Sequence, residues 1–264
     1  MRRAGLTLVE LLVVISITAF LAALLFPAFH SSREQARATA CQANVWQLAF
    51  ALHAYEGDNQ SLPYGFGGPG KTPPPGGYPG NATIDPAGWW WFNFIGSVRY
   101  KSLRDMNALR CPSRRIEGAK LKRDILCGNY GANRSLCKSL VNGPPGNEFE
   151  GTPLSVAAIR RPGSTLLVMD SGYSLICWWH AAKEPPVTFG DSIQDAAYVP
   201  GLEINKQKIV WPGQDQDAID GRHPNQTVNI AFADSHVERW KASDLLVEKT
   251  EDGERNYSPL WSPD

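Results

Sequence analysis

The longest pattern in the chain is an apolar run from Leu6 to Phe29, interrupted by one charge, Glu10, and preceded by Arg2 and Arg3. Wound as a helix at ~1.5 Å per residue, the run reaches about 36 Å, enough to cross a hydrocarbon core about 30 Å thick. The arginines mark the end that stays in the cytoplasm. From Ser31 the sequence turns polar but keeps a helical period. Cys41, Val45, Leu48, Leu52 and Tyr55 recur at steps of four, three, four and three, with Arg37, Gln42, Asn44 and Gln47 on the other side. The pattern predicts one helix from Leu6 to Glu56, about 75 Å long. It is transmembrane over 6–29, amphipathic over 30–56, and closed by Gly57 as a C-terminal cap.

Beyond the helix the period is lost. Glycine and proline crowd Tyr64 to Gly88 and leave no repeat for helix or strand, so this stretch is a loop. Its sequon, Asn81-Ala82-Thr83, is read as chance. Trp89 to Ile95 is densely aromatic and is read as a core segment under the loop, with a ligand platform as the alternative. Short strands and turns follow: Tyr130–Asn133 reads as a turn, and Thr165–Met169 as a buried strand closed by Asp170. Val228, Ile230 and Phe232 alternate with smaller residues, which predicts a half-buried strand returning at Val237 as a hairpin. The apolar tail Asn256–Pro263 is expected to dock on the head. The fold class is therefore α+β, with a long N-terminal helix packed on an antiparallel β-sheet head over 57–264.

Composition narrows the chemistry. Twenty-six basic residues balance 26 acidic ones with no basic stripe, which argues against nucleic acid as a partner. No G-x-S-x-G, H-E-x-x-H or phosphate-binding loop occurs, so an enzyme reading has no motif behind it and no organic cofactor is expected. Five cysteines, Cys41, Cys111, Cys127, Cys137 and Cys177, leave at least one free or bonded to another chain. Cys127 and Cys137, ten positions apart, are the first pair to consider because they close a modest loop. Zinc is the competing reading, and the absence of any C-x-x-C argues against it. Near the C-terminus Asp215, Asp217, Asp220 and Asp234 are of Ca2+-ligand type. The simpler reading makes them turn residues and His223 a hydrogen-bonding brace for the hairpin.

Glu10 is the costly residue of the apolar run. A carboxylate inside a bilayer costs roughly 2.5–3.5 kcal/mol on insertion scales. A compensating charge from outside, such as the free amino terminus of a second copy, requires cleavage between Gly5 and Leu6. Gly5-Leu6-Thr7-Leu8-Val9-Glu10 resembles the G-F-T-L-x-E signal of type IV prepilins and type II secretion pseudopilins, with leucine where phenylalanine is usual. The resemblance implies a leader over residues 1–5, cleavage after Gly5 by a prepilin peptidase, and methylation of the Leu6 amine. It also implies that Glu10 pairs with the amine of a neighbouring pilin-like subunit in a filament drawn from the cytoplasmic membrane, the heads lying in the periplasm. Pro27 stands where many members of that family carry a helix-bending proline.

Further short patterns are similar to pseudopilin-like heads: C-x-x-N at Cys41, C-P-S at Cys111, Y-G-x-N at Tyr130 and T-x-x-x-x-D ending at Asp170. Arg222-His223 to Val237 resembles the H-x9-DG segment found with prepilin signals, with two departures. Ten residues separate His223 from Asp234, and Ser235 replaces the glycine, giving H-x10-DS over 223–235. The rival readings are an ordinary signal peptide and a membrane-anchored binding or enzymatic ectodomain. The first is disfavoured because Ala38-Thr39-Ala40 lies beyond Arg33, Glu34 and Arg37, too far from the apolar run.

Overall fold

The computed structural model describes residues 7–67, 88–95, 106–140, 148–185, 196–251 and 253–263. Helix α1, Leu8–Asn59, runs unbroken for 52 residues. Thr7 is its N-cap: the Thr7 hydroxyl accepts from the Glu10 N–H at 3.2 Å, and the Glu10 carboxylate accepts from the Thr7 N–H at 2.9 Å. Ser16 and Thr18 turn their hydroxyls back onto the carbonyls of Leu12 and Val14, so neither is left unbonded on an apolar surface. Pro27 sits inside the helix without ending it. Gly57 is not the cap. One more turn forms, and Gln60 takes the left-handed conformation (φ 63°), its N–H reaching the carbonyl of Glu56.

The two halves of α1 differ in what covers them. The best apolar window has a mean hydropathy of 2.6 and none of it is buried. Farther along, Cys41, Val45, Leu48 and Leu52, the stripe read from spacing, are wholly buried against the head. The flanks of the stripe take part as well: the Asn44 amide donates to the carbonyl of Arg110 (3.1 Å) and to the Tyr130 hydroxyl (3.2 Å).

The head is built on a mixed five-stranded sheet. Its strands, in chain order after the short pair β1 (Phe66–Gly67) and β2 (Trp89–Trp90), are β3 (Tyr130–Asn133), β4 (Leu166–Asp170), β5 (Leu175–Ile176), β6 (Thr227–Phe232) and β7 (Val237–Lys241). The spatial order is β5-β3-β4-β6-β7, antiparallel throughout except for the edge pair β3 and β5, which is parallel. Tyr130–Asn133 is thus a strand, not a turn. Its small Gly131 lies close to the Ser171 side chain and the Tyr173 carbonyl, where a Cβ would sit 2.8 Å from both.

β6 is buried on both faces rather than half-buried. Val228, Ile230 and Phe232 point into a layer with Trp178, Leu245 and Trp261, while Ala231 belongs to the layer under α1 and the Asn229 amide lies 3.4 Å from the Ala38 carbonyl. Large residues alternate with small ones because one face meets thick loops and the other a closely approaching helix. Trp90, Trp91, Phe92 and Ile95 are core, the last three within helix α2 (Trp91–Ile95). The tail docks through buried Trp261, which donates to the Leu245 carbonyl and whose own carbonyl receives the Asn133 amide. Helices α3 (Ala119–Arg123) and α4 (Asp215–Asp220) and the ribbon β8 (Glu248–Thr250) with β9 (Gly253–Arg255) complete the described elements used below.

Candidate functional site

Two places in the molecule carry chemistry that a plain core does not need. The first is the bare half of α1. Leu8, Val9, Leu11, Phe20, Phe26 and Phe29 are among its large exposed apolar side chains, and nothing among the described residues covers them. Glu10 has a local partner that the spacing did not suggest, since both the N–H and the hydroxyl of Thr7 donate to its carboxylate. Gly5 and Leu6, the expected cleavage and methylation residues, lie outside the described residues, as does most of the Gly/Pro loop with Asn81. Higher on the helix, Trp46 and Phe50, one turn apart, stack at 5.9 Å and are both more than half exposed. They extend the uncovered apolar surface past the membrane-length segment, and a search for one buried stripe passes over them because they occupy the opposite face.

The second place is a buried polar cluster where α1 meets the sheet. Cys41 comes from α1, Cys111 from the turn after Leu109, Asp170 from the end of β4 and His223 from the approach to β6; all four are at most 5% exposed. Their ligand-type atoms lie within 4.8 Å of one another. The Cys41 thiol donates to Asp170 Oδ1 at 3.1 Å, His223 Nε2 stands 3.1 Å from Asp170 Oδ2, and Cys111 Sγ stands 3.9 Å from the same nitrogen. A second ring of residues holds these in place. The Tyr130 hydroxyl donates to Cys41 Sγ (3.4 Å), the Asn229 N–H to Asp170 Oδ2 (2.7 Å), and Asn129 Oδ1 accepts the Cys111 N–H (3.0 Å).

The cluster shifts its own proton affinities. Burial pulls His223 down, but the Asp170 carboxylate beside it prevails and lifts its pKa to about 10. Burial raises Asp170, and His223 with Arg222 outweighs it, holding the carboxyl below its usual range. Burial likewise raises Cys111, yet hydrogen bonds from Cys41 and His223 bring it down to about 6. For Cys127 and Cys137 burial prevails and pushes both up to about 12.

The remaining sequence candidates fall elsewhere. The four aspartates proposed for Ca2+ are not gathered. Asp215 and Asp220 are exposed on α4. Asp217 is buried and already taken by Arg222 (Nη2 to Oδ2, 2.7 Å), Tyr198 and the Arg115 N–H. Asp234 caps its own turn through the N–H and ring of His236. Nor do Cys127 and Cys137 form a disulfide: all five cysteines are free and buried, and this pair sits at opposite ends of β3, an extended strand. His223 does brace β4 and β6, as its place before the hairpin suggested, and its Nδ1 is buried without a hydrogen-bond partner.

Comparison with known families bears on the first place. Residues 1–26 match the family model of the prokaryotic N-terminal methylation motif. The chain opens on a prepilin-type methylation motif. Residues 30–95 match a second model, described as a protein of unknown function (DUF1559), which covers the polar half of α1 and the Trp91–Ile95 segment packed on it. No curated protein and no solved structure matches the chain.

Proposed function

We propose that the chain is a structural subunit, a pilin or pseudopilin, rather than an enzyme. A prepilin peptidase cuts it after Gly5 and methylates Leu6, and the mature protein waits as a single-pass protein of the cytoplasmic membrane with its head in the periplasm. It is then drawn into a type II secretion or type IV pilus-like filament with other pilin-like subunits. One observation carries this reading: a methylation motif over residues 1–26 that opens onto a helix whose first half is bare apolar surface while one face of its second half is buried against the head. A helix with that division exchanges lipid for neighbouring helices without unfolding its head. Trp46 and Phe50 provide further apolar surface for neighbours.

Glu10 supplies the test. Its carboxylate is held by Thr7 in the lone chain, and in a filament it meets the new amine of a neighbour. Glu10→Ala is expected to leave membrane insertion intact, because insertion gains nothing from the charge. Removing one member of a buried ion pair costs about 3 kcal/mol, on the order of a 100-fold loss of affinity for the growing filament. Crosslinking and shear-fraction assays read that loss. Unaltered incorporation of the variant contradicts the proposal.

A further inference from the structure

We infer that Cys41, Cys111, Asp170 and His223 form a tetrahedral zinc site that fastens the polar half of α1 to the head. The donor set is of zinc type: two sulfurs, an imidazole nitrogen and a carboxylate oxygen, within 4.8 Å of one another. Ligands at ordinary zinc distances stand apart by about 3.3 Å for nitrogen to oxygen, 3.5 Å for sulfur to either, and 3.8 Å for sulfur to sulfur. The matching separations are 3.1 Å between His223 Nε2 and Asp170 Oδ2, 3.1 Å between Cys41 Sγ and Asp170 Oδ1, and 3.9 Å between Cys111 Sγ and His223 Nε2. These three pairs, which reach Asp170 through its two different oxygens, stand within about 0.4 Å of zinc spacing, and all four ligand atoms lie within 4.8 Å of one another.

The surroundings are those of a structural metal. Three of the ligands are fixed by an outer partner: Tyr130 on Cys41, Asn129 on the Cys111 backbone, and the Asn229 N–H on Asp170. Arg222, 3.9 Å from Asp170 Oδ1, offsets negative charge from two thiolates and a carboxylate around one divalent ion. Among the described residues, Cys177 and His180 (3.3 Å) belong to no such group of ligand-type side chains, so sulfur beside imidazole is not in itself the criterion. The site joins four segments far apart in sequence, and Cys41 lies on the helix that emerges from the membrane. A bond there passes any pull on α1 directly to β4 and β6.

The full chain, extracted in detergent from cells grown with zinc, is the material for the test. Metal analysis is expected to return one zinc per chain, lost on prolonged chelation and restored by added zinc. Cys137→Ala keeps the full equivalent, whereas Cys111→Ser loses it. Because Cys111→Ser removes a core side chain, the wild-type protein reloaded with Co2+ gives a second readout. Tetrahedral d–d bands with thiolate-to-cobalt charge transfer are expected, and the Tyr130→Phe variant binds the ion 10- to 100-fold more weakly, about the usual effect of an outer partner. Zinc-free protein that takes up neither ion, or a Cys41–Cys111 disulfide found by peptide mass mapping, overturns the site.

Discussion

Single residues in this head are tuned mainly by burial. His180 is 2% exposed, with Nδ1 accepting from the Cys177 N–H at 3.1 Å. Burial, followed by the charges of Lys208 and Arg134, keeps it neutral well below its ordinary titration range. The unfolded chain takes up a proton below about pH 6.5 that the folded chain refuses, so stability is lost as pH falls through that value. For His180 alone the loss from neutral pH to pH 5.5 is about 1.2 kcal/mol. Denaturant unfolding at the two values is expected to show a difference smaller by that amount in His180→Gln; equal acid losses in the variant and the parent contradict the assignment. The same scale is where sequence reading was weakest. Asp217 looked like a cation ligand, and its exposed helix neighbours Asp215 and Asp220 reinforced that impression, because nothing local reveals that Arg222 folds onto it.

At the scale of elements, α1 was legible because a 3.6-residue period survives any environment, and its stripe is buried as spacing required. Its end was not, since a glycine marks where a helix is free to stop and Gln60 shows where the chain turns away. β6 was legible as a strand but not as a two-sided one: Asn229 and Ala231 are small or polar because α1 covers them, which alternation alone reports as exposure. The β6–β7 turn carries a prediction of its own. Ser235 holds φ at 75°, a conformation that costs a side chain about 1–2 kcal/mol and glycine little. After allowing for the extra freedom of glycine in the unfolded chain, Ser235→Gly is expected to stabilise the head by about 0.5–1 kcal/mol. A denaturation midpoint that stays put or falls contradicts this. The serine in place of the glycine of the H-x9-DG pattern therefore keeps the turn and bears its cost.

For the whole molecule, the division of α1 into a bare half and a half packed by one face against the head makes the chain a body on a stalk. The short patterns at Cys41, Cys111, Tyr130, Asp170 and His223, scattered over most of the sequence, meet at the joint between stalk and body. That convergence was invisible in one dimension: no two of the four ligand-type residues share a segment, and the missing C-x-x-C pointed away from a metal. The membrane-length helix and its methylation motif, by contrast, were legible, because membrane thickness fixes a length and the motif fixes an order of residues. Mass spectrometry of the amino terminus of the membrane-extracted protein, from cells with and without their prepilin peptidase, tests the central claim most directly. The account predicts a chain beginning at a singly methylated Leu6 when the peptidase is present and at Met1 when it is absent. An uncleaved Met1 in both, or a terminus near Cys41, contradicts it.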